Sequence, residues 1–464
     1  MTQGKGNMML REIKAFAGKH VLLLQGPLGP FFRHVARDLE ENGARVSKIN
    51  FNGGDWLFYP RRSVPFRGRM EDWPNYLAQV LAEQKIDVVL MYGDCRPVHR
   101  CVREQAERLG IEIGVFEAGY VRPNYITLER SGINDYSSLP RTTDFYLKQS
   151  ESTVAKPLPL GNVFWHAALW AISYYIASSF LSPLFPHYQH HRRLAIREAF
   201  PWVRGLWRKY YYHIKEREIR RRLEKEYSNR FFLVPLQVYY DSQMRTHSDY
   251  ASVDDFIRDV VSDFAKNAPP ETYLVIKHHP MDRAYCDYTR VCETLAEMYN
   301  AQGRLLYVHD LDLPTIFKHT RGVVVVNSTV GLSALLHGLP VKVCGRSIYD
   351  IPSVTFAGLL SDFWERAASA KPNQEVLQGF RNFLIEHTQM NGSVYKRLSD
   401  AGSHAGIIWN SGLSLFSVLA TKKLDRQRLG VILKPVPISG RQLGLSVVRA
   451  EAVKQAYYRR GAQR

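Results

Sequence analysis

Two histidines stand where a buried strand runs out. In YLVIKHHPMD, Tyr273 to Ile276 are aromatic, β-branched or aliphatic, the profile of a strand buried on both faces; Lys277, His278, His279, Pro280 and Asp282 follow with no transition. Such a strand end sets an imidazole at the rim of a sheet, where His279 can donate to an anionic oxygen. Pro280 fixes the turn there and removes a backbone donor. A lone histidine at a strand end is more often structural, so the reading needs company. VVVVNSTVGLSALLHG supplies it: four valines make a buried strand, and Asn327, Ser328 and Thr329 lead into a helix. Two hydroxyls and free backbone N–H groups then meet at the positive end of a helix dipole, which is a phosphate site. Alone, that segment reads as an ordinary N-cap. Together the two motifs nominate His278, His279, Pro280, Asn327, Ser328 and Thr329 as an anion-binding set.

Carboxylates come from the other half of the chain. Glu117 in VFEAGYVRP, Asp94 in MYGDCRP and Asp55 in FNGGDW each follow an apolar run and stand beside glycine. A carboxylate facing a cleft serves as general base or nucleophile when its neighbours tune its pKa. For each of the three, helix capping or pairing with Arg96 or Arg122 is an equal alternative. The catalytic candidates are therefore Glu117, Asp94, Asp55 and His279. Gln25, Arg33, Arg96 and Arg122, with His99 nearby, would draw in a substrate carboxylate or phosphate.

The elements that must position these groups fall in two series. HVLLLQGPLGPFF, ARVSKINFNGGD, KIDVVLMYGDCRP and IEIGVFEAGYVRP read as strands separated by helical stretches, the signature of a doubly wound parallel sheet with ligands beyond the carboxyl ends of its strands. A second series, RFFLVPLQV, TYLVIKHHP, GRLLYVHD, GVVVVNSTVG and LPVKVCG, repeats the pattern to about residue 400. The fold class is thus α/β and GT-B-like, two doubly wound parallel-sheet domains facing a cleft. The expected divisions are 15–150, an N-terminal Rossmann-like domain; 151–230, a basic, aromatic-rich, membrane-proximal helical segment; 231–400, a C-terminal Rossmann-like domain that binds the anion; and 401–464, a helical and basic tail.

Composition narrows the partners. Sixty-two Lys and Arg against 44 acids give a formal net charge of +18, which points to an anionic partner. The five cysteines lack paired CxxC spacings and read as reduced and cytosolic, and the first residues show no secretory signal. Val163 to Phe185 is apolar with one histidine and no formal charge, and a dense basic run follows it from His190 to Arg222. An interfacial helix held by anionic headgroups, a buried interdomain helix and a membrane span are all open. The basic, Trp-rich flank favours the first.

LLLQGPLGPFF, FNGGD, GDCRPVHR, FEAGYVRPNYITLE, YSSLPR, LQVYYDSQMRTHS, VIKHHPMDR and NSTVGLSALLHGLPVKVCGRSIYDI closely resemble the capsular polysaccharide Kdo-transferase family of the KpsS or LipB type, from about Val21 to about Thr388. The resemblance implies a peripheral enzyme on the cytoplasmic face of the inner membrane. It would move 3-deoxy-D-manno-octulosonic acid (Kdo) from CMP-Kdo to phosphatidylglycerol or its lyso form, with retention and without a metal or other cofactor. It also implies contact with other capsule assembly proteins and none with nucleic acid. The family in turn resembles GT-B sialyltransferases, whose acidic-acidic-Gly, His-Pro and Ser-Ser/Thr motifs match Glu117 with Gly119, His279 with Pro280, and Ser328 with Thr329. Ala118 stands where a second acid is common. A CDP-glycerol-type phosphotransferase and a non-enzymatic scaffold of the export complex are the competing readings.

Overall fold

The computed structural model describes residues 13–188 and 199–409. Its aliphatic runs become buried strands: β1 (His20–Leu23), β2 (Arg45–Asn50), β4 (Val88–Tyr92) and β5 (Glu112–Ala118), with the short edge strand β3 (Ser63–Pro65), form a parallel ladder in the order β5-β4-β1-β2-β3. Leu22, Leu24, Val89, Met91 and Val115 lie in the core beneath it, closed by helix Trp73–Glu83. The second sheet is parallel throughout, in the order β11 (Val341–Val343), β10 (Thr320–Val325), β7 (Phe231–Pro235), β8 (Tyr273–Lys277) and β9 (Leu305–Val308). Its helices cover both faces, as all-parallel pairing requires.

Three features differ from the sequence expectation. One edge of the first sheet is antiparallel: β6 (Tyr125–Arg130) turns back along β5, and β12 (Gln389–Asn391) runs antiparallel to β6. The second domain therefore does not extend to residue 400, because helix Gln374–His387 brings the chain back to the first sheet. The segment from 401 to 409 is no appendage either. His404 and Ala405 give backbone N–H groups and Trp409 its indole N–H to the buried carboxylate of Asp38. The rest of the expected tail lies outside the described residues.

The stretch expected as one helical segment, 151–230, divides between the two lobes. Helix Phe164–Phe180 is seated on helix Gly53–Phe58 of the first lobe. The two glycines of FNGGD make that seat: a Cβ on Gly53 would lie 2.4 Å from the Ala177 carbonyl oxygen, and one on Gly54 2.6 Å from the Tyr174 ring. Tyr174 and Ser178 are buried there, whereas Phe164, Trp165, Leu169, Ile172, Ile176 and Phe180 are exposed. Among the described residues no helix is long and apolar enough to cross a membrane. Helices Ala199–Lys215 and Arg217–Glu224 belong to the second lobe. Glu216, between them, accepts from the backbone N–H groups of His309 and Asp310 at 2.9 Å and pairs with the His309 ring at 2.7 Å. Trp207, Tyr210 and Ile214 face solvent. Part of the predicted basic flank, residues 189–198, lies outside the described residues.

Candidate active site

Glu117 closes β5 half-buried, its Oε1 accepting the Ala118 N–H at 3.0 Å. Burial raises its pKa; the Ala118 N–H and Arg96 pull the other way, and Asp94 and Asp241 push it further up. The glycine of the motif is sterically required, since a Cβ on Gly119 would stand 2.1 Å from the Tyr125 carbonyl oxygen where β6 folds back. Arg96 leans over the Tyr92 ring at 5.1 Å and donates to the Gly26 carbonyl at 3.0 Å, fixing its guanidinium in electrostatic reach of Glu117. Arg122 is exposed, with its Nε on the Gly119 carbonyl, and acts electrostatically on both Tyr92 and His279. It thus connects the first lobe electrostatically to His279 of the second.

On the second lobe His279 caps a short 3-10 turn, its Nδ1 accepting the Met281 N–H at 3.2 Å. That bond leaves the ring proton of the neutral form on Nε2, which is thus the donor. Burial brings the His279 pKa down to about 4, helped by Lys277, Arg122 and Arg283, so the ring is neutral near pH 7. In this state it binds an anion by hydrogen bonding and has no proton to give up as an acid. Lys277, buried at the end of β8, is brought down to about 8 by burial and Arg283. Ser328 caps helix Thr329–Leu336, its Oγ accepting the Val330 N–H at 3.3 Å, and both Ser328 and Thr329 are half-buried. Pro280 begins the 3-10 turn and is exposed.

Six of the predicted residues stand elsewhere. Asp55 does not face a cleft: Oδ2 accepts the Phe51 N–H at 3.0 Å and Oδ1 the Tyr174 hydroxyl at 3.0 Å, so it anchors the apolar helix. Gln25 is buried in the same network, donating to the Tyr188 hydroxyl at 2.8 Å and accepting from Arg96 at 3.3 Å. Asp94 is buried, with Oδ2 on the Ile133 N–H at 3.0 Å and Oδ1 beside Cys95 Sγ and Gln243 Nε2. His278 is fully buried, bonded through Nδ1 to the Tyr307 hydroxyl at 2.6 Å and packed against Tyr288 and His309. Neighbours in an extended chain point to opposite sides, so only one of the two histidines can face outward, and it is His279. Arg33 is exposed on the outer face of helix Phe31–Glu41, near His34 and Tyr59. Asn327 is a brace: its Oδ1 accepts from Gln237 at 2.9 Å and its Nδ2 donates to the Gln243 carbonyl at 3.3 Å.

One half-buried carboxylate was not anticipated. Asp241 follows β7 and caps helix Ser242–Thr246, its Oδ1 accepting the Gln243 N–H at 2.8 Å and its Oδ2 the Gln237 amide at 3.1 Å. Burial raises its pKa, and it lies in electrostatic reach of Glu117. The site thus joins Glu117, Arg96 and Arg122 of one lobe to Asp241, His279 and Lys277 of the other.

A family model described as capsule polysaccharide biosynthesis protein matches residues 87–395, which hold every residue of this constellation. The chain belongs to that capsule family. Its relatives within the family include the capsule polysaccharide export protein KpsS of Escherichia coli, 41% identical over 386 residues, covering 82% of this chain and 97% of that one. The capsule polysaccharide modification protein LipB of Neisseria meningitidis serogroup B is 40% identical over 392 residues, covering 82% and 93%. Among solved structures, a glycosyltransferase from Rickettsia africae aligns at 11% identity over 89% of this chain and 99% of its own, with a TM-score of 0.30, too low to say anything of activity. The GT-B-like description of this capsule family member therefore rests on its own two sheets. The signal that pointed to Glu117 and His279 also stood before Asp241. RFFLVPLQVYYD is an apolar strand running into an acid.

Proposed function

We propose that this protein is a retaining glycosyltransferase that moves Kdo from CMP-Kdo to phosphatidylglycerol or its lyso form, starting the lipid-linked end of a capsular polysaccharide at the inner membrane. The observation that carries the reading is the pairing of a burial-tuned carboxylate, Glu117, with a cationic and hydrogen-bonding cradle, Arg122, Lys277 and His279, contributed from both lobes. Transfer from a nucleotide needs both parts. The cradle would hold the CMP phosphate, with His279 Nε2–H donating to it and the N-terminus of helix Thr329–Leu336 adding its dipole. Those groups offset the phosphate charge with no metal in the transfer step. Arg96 suits the sugar carboxylate.

Glu117 is the candidate for the covalent or ion-pairing group that retention at the sugar demands. Its oxygen would attack the anomeric carbon from the face opposite CMP as the bond to CMP breaks, and the lipid hydroxyl would then displace Glu117 from the face that CMP vacated, giving net retention. Asp241 is the second carboxylate, suited to taking the proton of that hydroxyl. The exposed aromatic and aliphatic faces of helices Phe164–Phe180 and Ala199–Lys215 suit the headgroup boundary of an anionic bilayer, where the acceptor resides.

The decisive experiment incubates the purified chain with CMP-Kdo and a fluorescent phosphatidylglycerol analogue. The expected products are free CMP and a Kdo-bearing lipid. Release of CMP with free Kdo and no Kdo-bearing lipid, or transfer from CDP-glycerol in place of CMP-Kdo, would replace this reading with hydrolysis or phosphodiester transfer.

A further inference from the structure

Asp94 and Cys95 follow β4 in the first lobe, and His247 ends helix Ser242–Thr246 in the second. They meet in the interior, 7%, 2% and 0% exposed respectively. Cys95 Sγ lies 3.2 Å from Asp94 Oδ1 and 3.4 Å from His247 Nε2, and one ligand atom from each residue falls within 4.8 Å of the others. A tetrahedral zinc with bonds of about 2.3 Å to sulfur and 2.0–2.1 Å to nitrogen or oxygen spaces its ligands roughly 3.4–3.6 Å apart, close to these separations. Asp94 and Cys95 line a cavity of about 220 Å³, bordered also by His99, Arg103 and Thr246, the last next in the chain to His247. His99 gives Nδ1 to the Gly93 carbonyl, while its Nε2, buried in that wall, has no hydrogen-bond partner. Buried imidazole nitrogens are rarely left so, and a ligand or ion-bound water in the cavity supplies what it needs.

The charges agree. Arg100 and Arg103 border the cavity, so a cation held by neutral ligands would be repelled. A carboxylate and a thiolate cancel the two charges of a divalent ion, so the loaded site carries no net charge. Thiolate, imidazole and carboxylate together select a borderline-soft ion rather than magnesium or calcium.

We propose that Asp94, Cys95 and His247 bind one zinc-class divalent ion that clasps the two lobes together, its fourth position open to the cavity. Binding breaks the Cys95 S–H bond, sends the proton to solvent and leaves the sulfur electron pair on the metal. The site is separate from Glu117 and His279 and stands whether or not the transfer reading does. Its role is to fix the lobes at the angle that brings those groups together.

The test uses the untagged full-length protein, purified without chelator and analysed for metals by mass spectrometry. About one zinc-class ion per chain is expected, as for a formed three-ligand site. Cobalt(II) added to chelator-treated protein should give a thiolate-to-cobalt charge-transfer band, absent from Cys95→Ser and weakened in His247→Ala, and zinc should raise the melting temperature of wild type and not of Cys95→Ser. If that variant fails to fold, peptide-resolved thiol labelling of wild type replaces it, with zinc expected to slow alkylation of Cys95 at least tenfold. Folded protein that carries no metal, shows no cobalt band and labels Cys95 equally with and without zinc overturns the proposal, leaving a hydrogen-bonded packing contact. A cobalt band that survives Cys95→Ser overturns the ligand assignment.

Discussion

Replacing Glu117 with glutamine should inactivate the protein and leave it at least as stable. The amide has the shape of the carboxylate and keeps an acceptor for the Ala118 N–H, which now lies 3.0 Å from Oε1. What it loses is the charge. Because burial raises the Glu117 pKa in the folded state, its ionisation opposes folding at pH values above that raised pKa, and removing it relieves that cost near neutrality. On the chemical side, loss of a nucleophile or general base lowers kcat by roughly 10²–10⁴, about 3–5 kcal/mol of barrier. CMP-Kdo binding should change little, since the proposed cradle of Arg122, Lys277 and His279 is untouched. The assay is CMP release under saturating lipid acceptor, with donor affinity from calorimetry and stability from thermal unfolding of the same preparations. Turnover within about threefold of wild type would remove Glu117 from the chemistry. A loss of more than about 1 kcal/mol of stability would show that its charge supports the fold, contrary to the desolvation argument.

Tyr174→Phe removes a hydroxyl that donates to Asp55 at 3.0 Å and accepts from Asn52 at 2.7 Å in the interior. Leaving a buried carboxylate short of a donor should cost about 2–3 kcal/mol in urea unfolding, and a cost below about 0.5 kcal/mol would mean that the apolar helix is not seated as described. Acid should destabilise the protein below about pH 6.5. Burial lowers His99 and His278 to about 3, so the unfolded chain binds more protons than the native one between about pH 3 and 6.5, and their contribution is full above that range and lost as pH falls through it. Glu129, raised to about 7 by burial, works the other way above about pH 4.5, but His34 and His279, lowered to about 4 by burial, add to the first two, so these groups together favour loss of stability as pH falls from about 6.5 to 4.5. A denaturant midpoint that rises on acidification from pH 7 to 5 would contradict this. Trp165 and Phe180 are 73% and 72% exposed, and changing either to serine should weaken binding to phosphatidylglycerol vesicles by about tenfold, measured by sedimentation. Unaltered binding would place the membrane contact on another face.

Local pattern made much of this legible. The switch from apolar to polar at Ile276–Lys277 and at Val326–Asn327 marked two strand ends that the structure confirms at β8 and β10, and Glu117 stands at the end of β5 as its neighbours implied. What local pattern cannot carry is a partner far along the chain. Asp55 looked free because the hydroxyl that occupies it belongs to Tyr174, and Asp94 because Ile133 and Gln243 are distant in sequence. The choice between His278 and His279 needs the phase of the strand, which a five-residue run does not fix. β12 was missed for a different reason: Gln-Met-Asn is too short and too polar to read as a strand, and only its pairing with β6 makes it one.

That return of the chain changes what counts as the parent domain. Residues 13–188 and 389–409 build one sheet, and the second sheet is spliced into it, so the second lobe is topologically an insertion within the first. A gene cut at residue 230 therefore would not release a self-sufficient N-terminal half. It would strip β6 of its outer neighbour β12 and lose the Gln389 side chain that accepts the Tyr120 N–H at 2.9 Å and donates to Thr127 at 2.9 Å. The bare edge so made invites pairing with another copy. A minimal first lobe would have to be made by excision, joining the two outer pieces with a short linker in place of the inserted lobe.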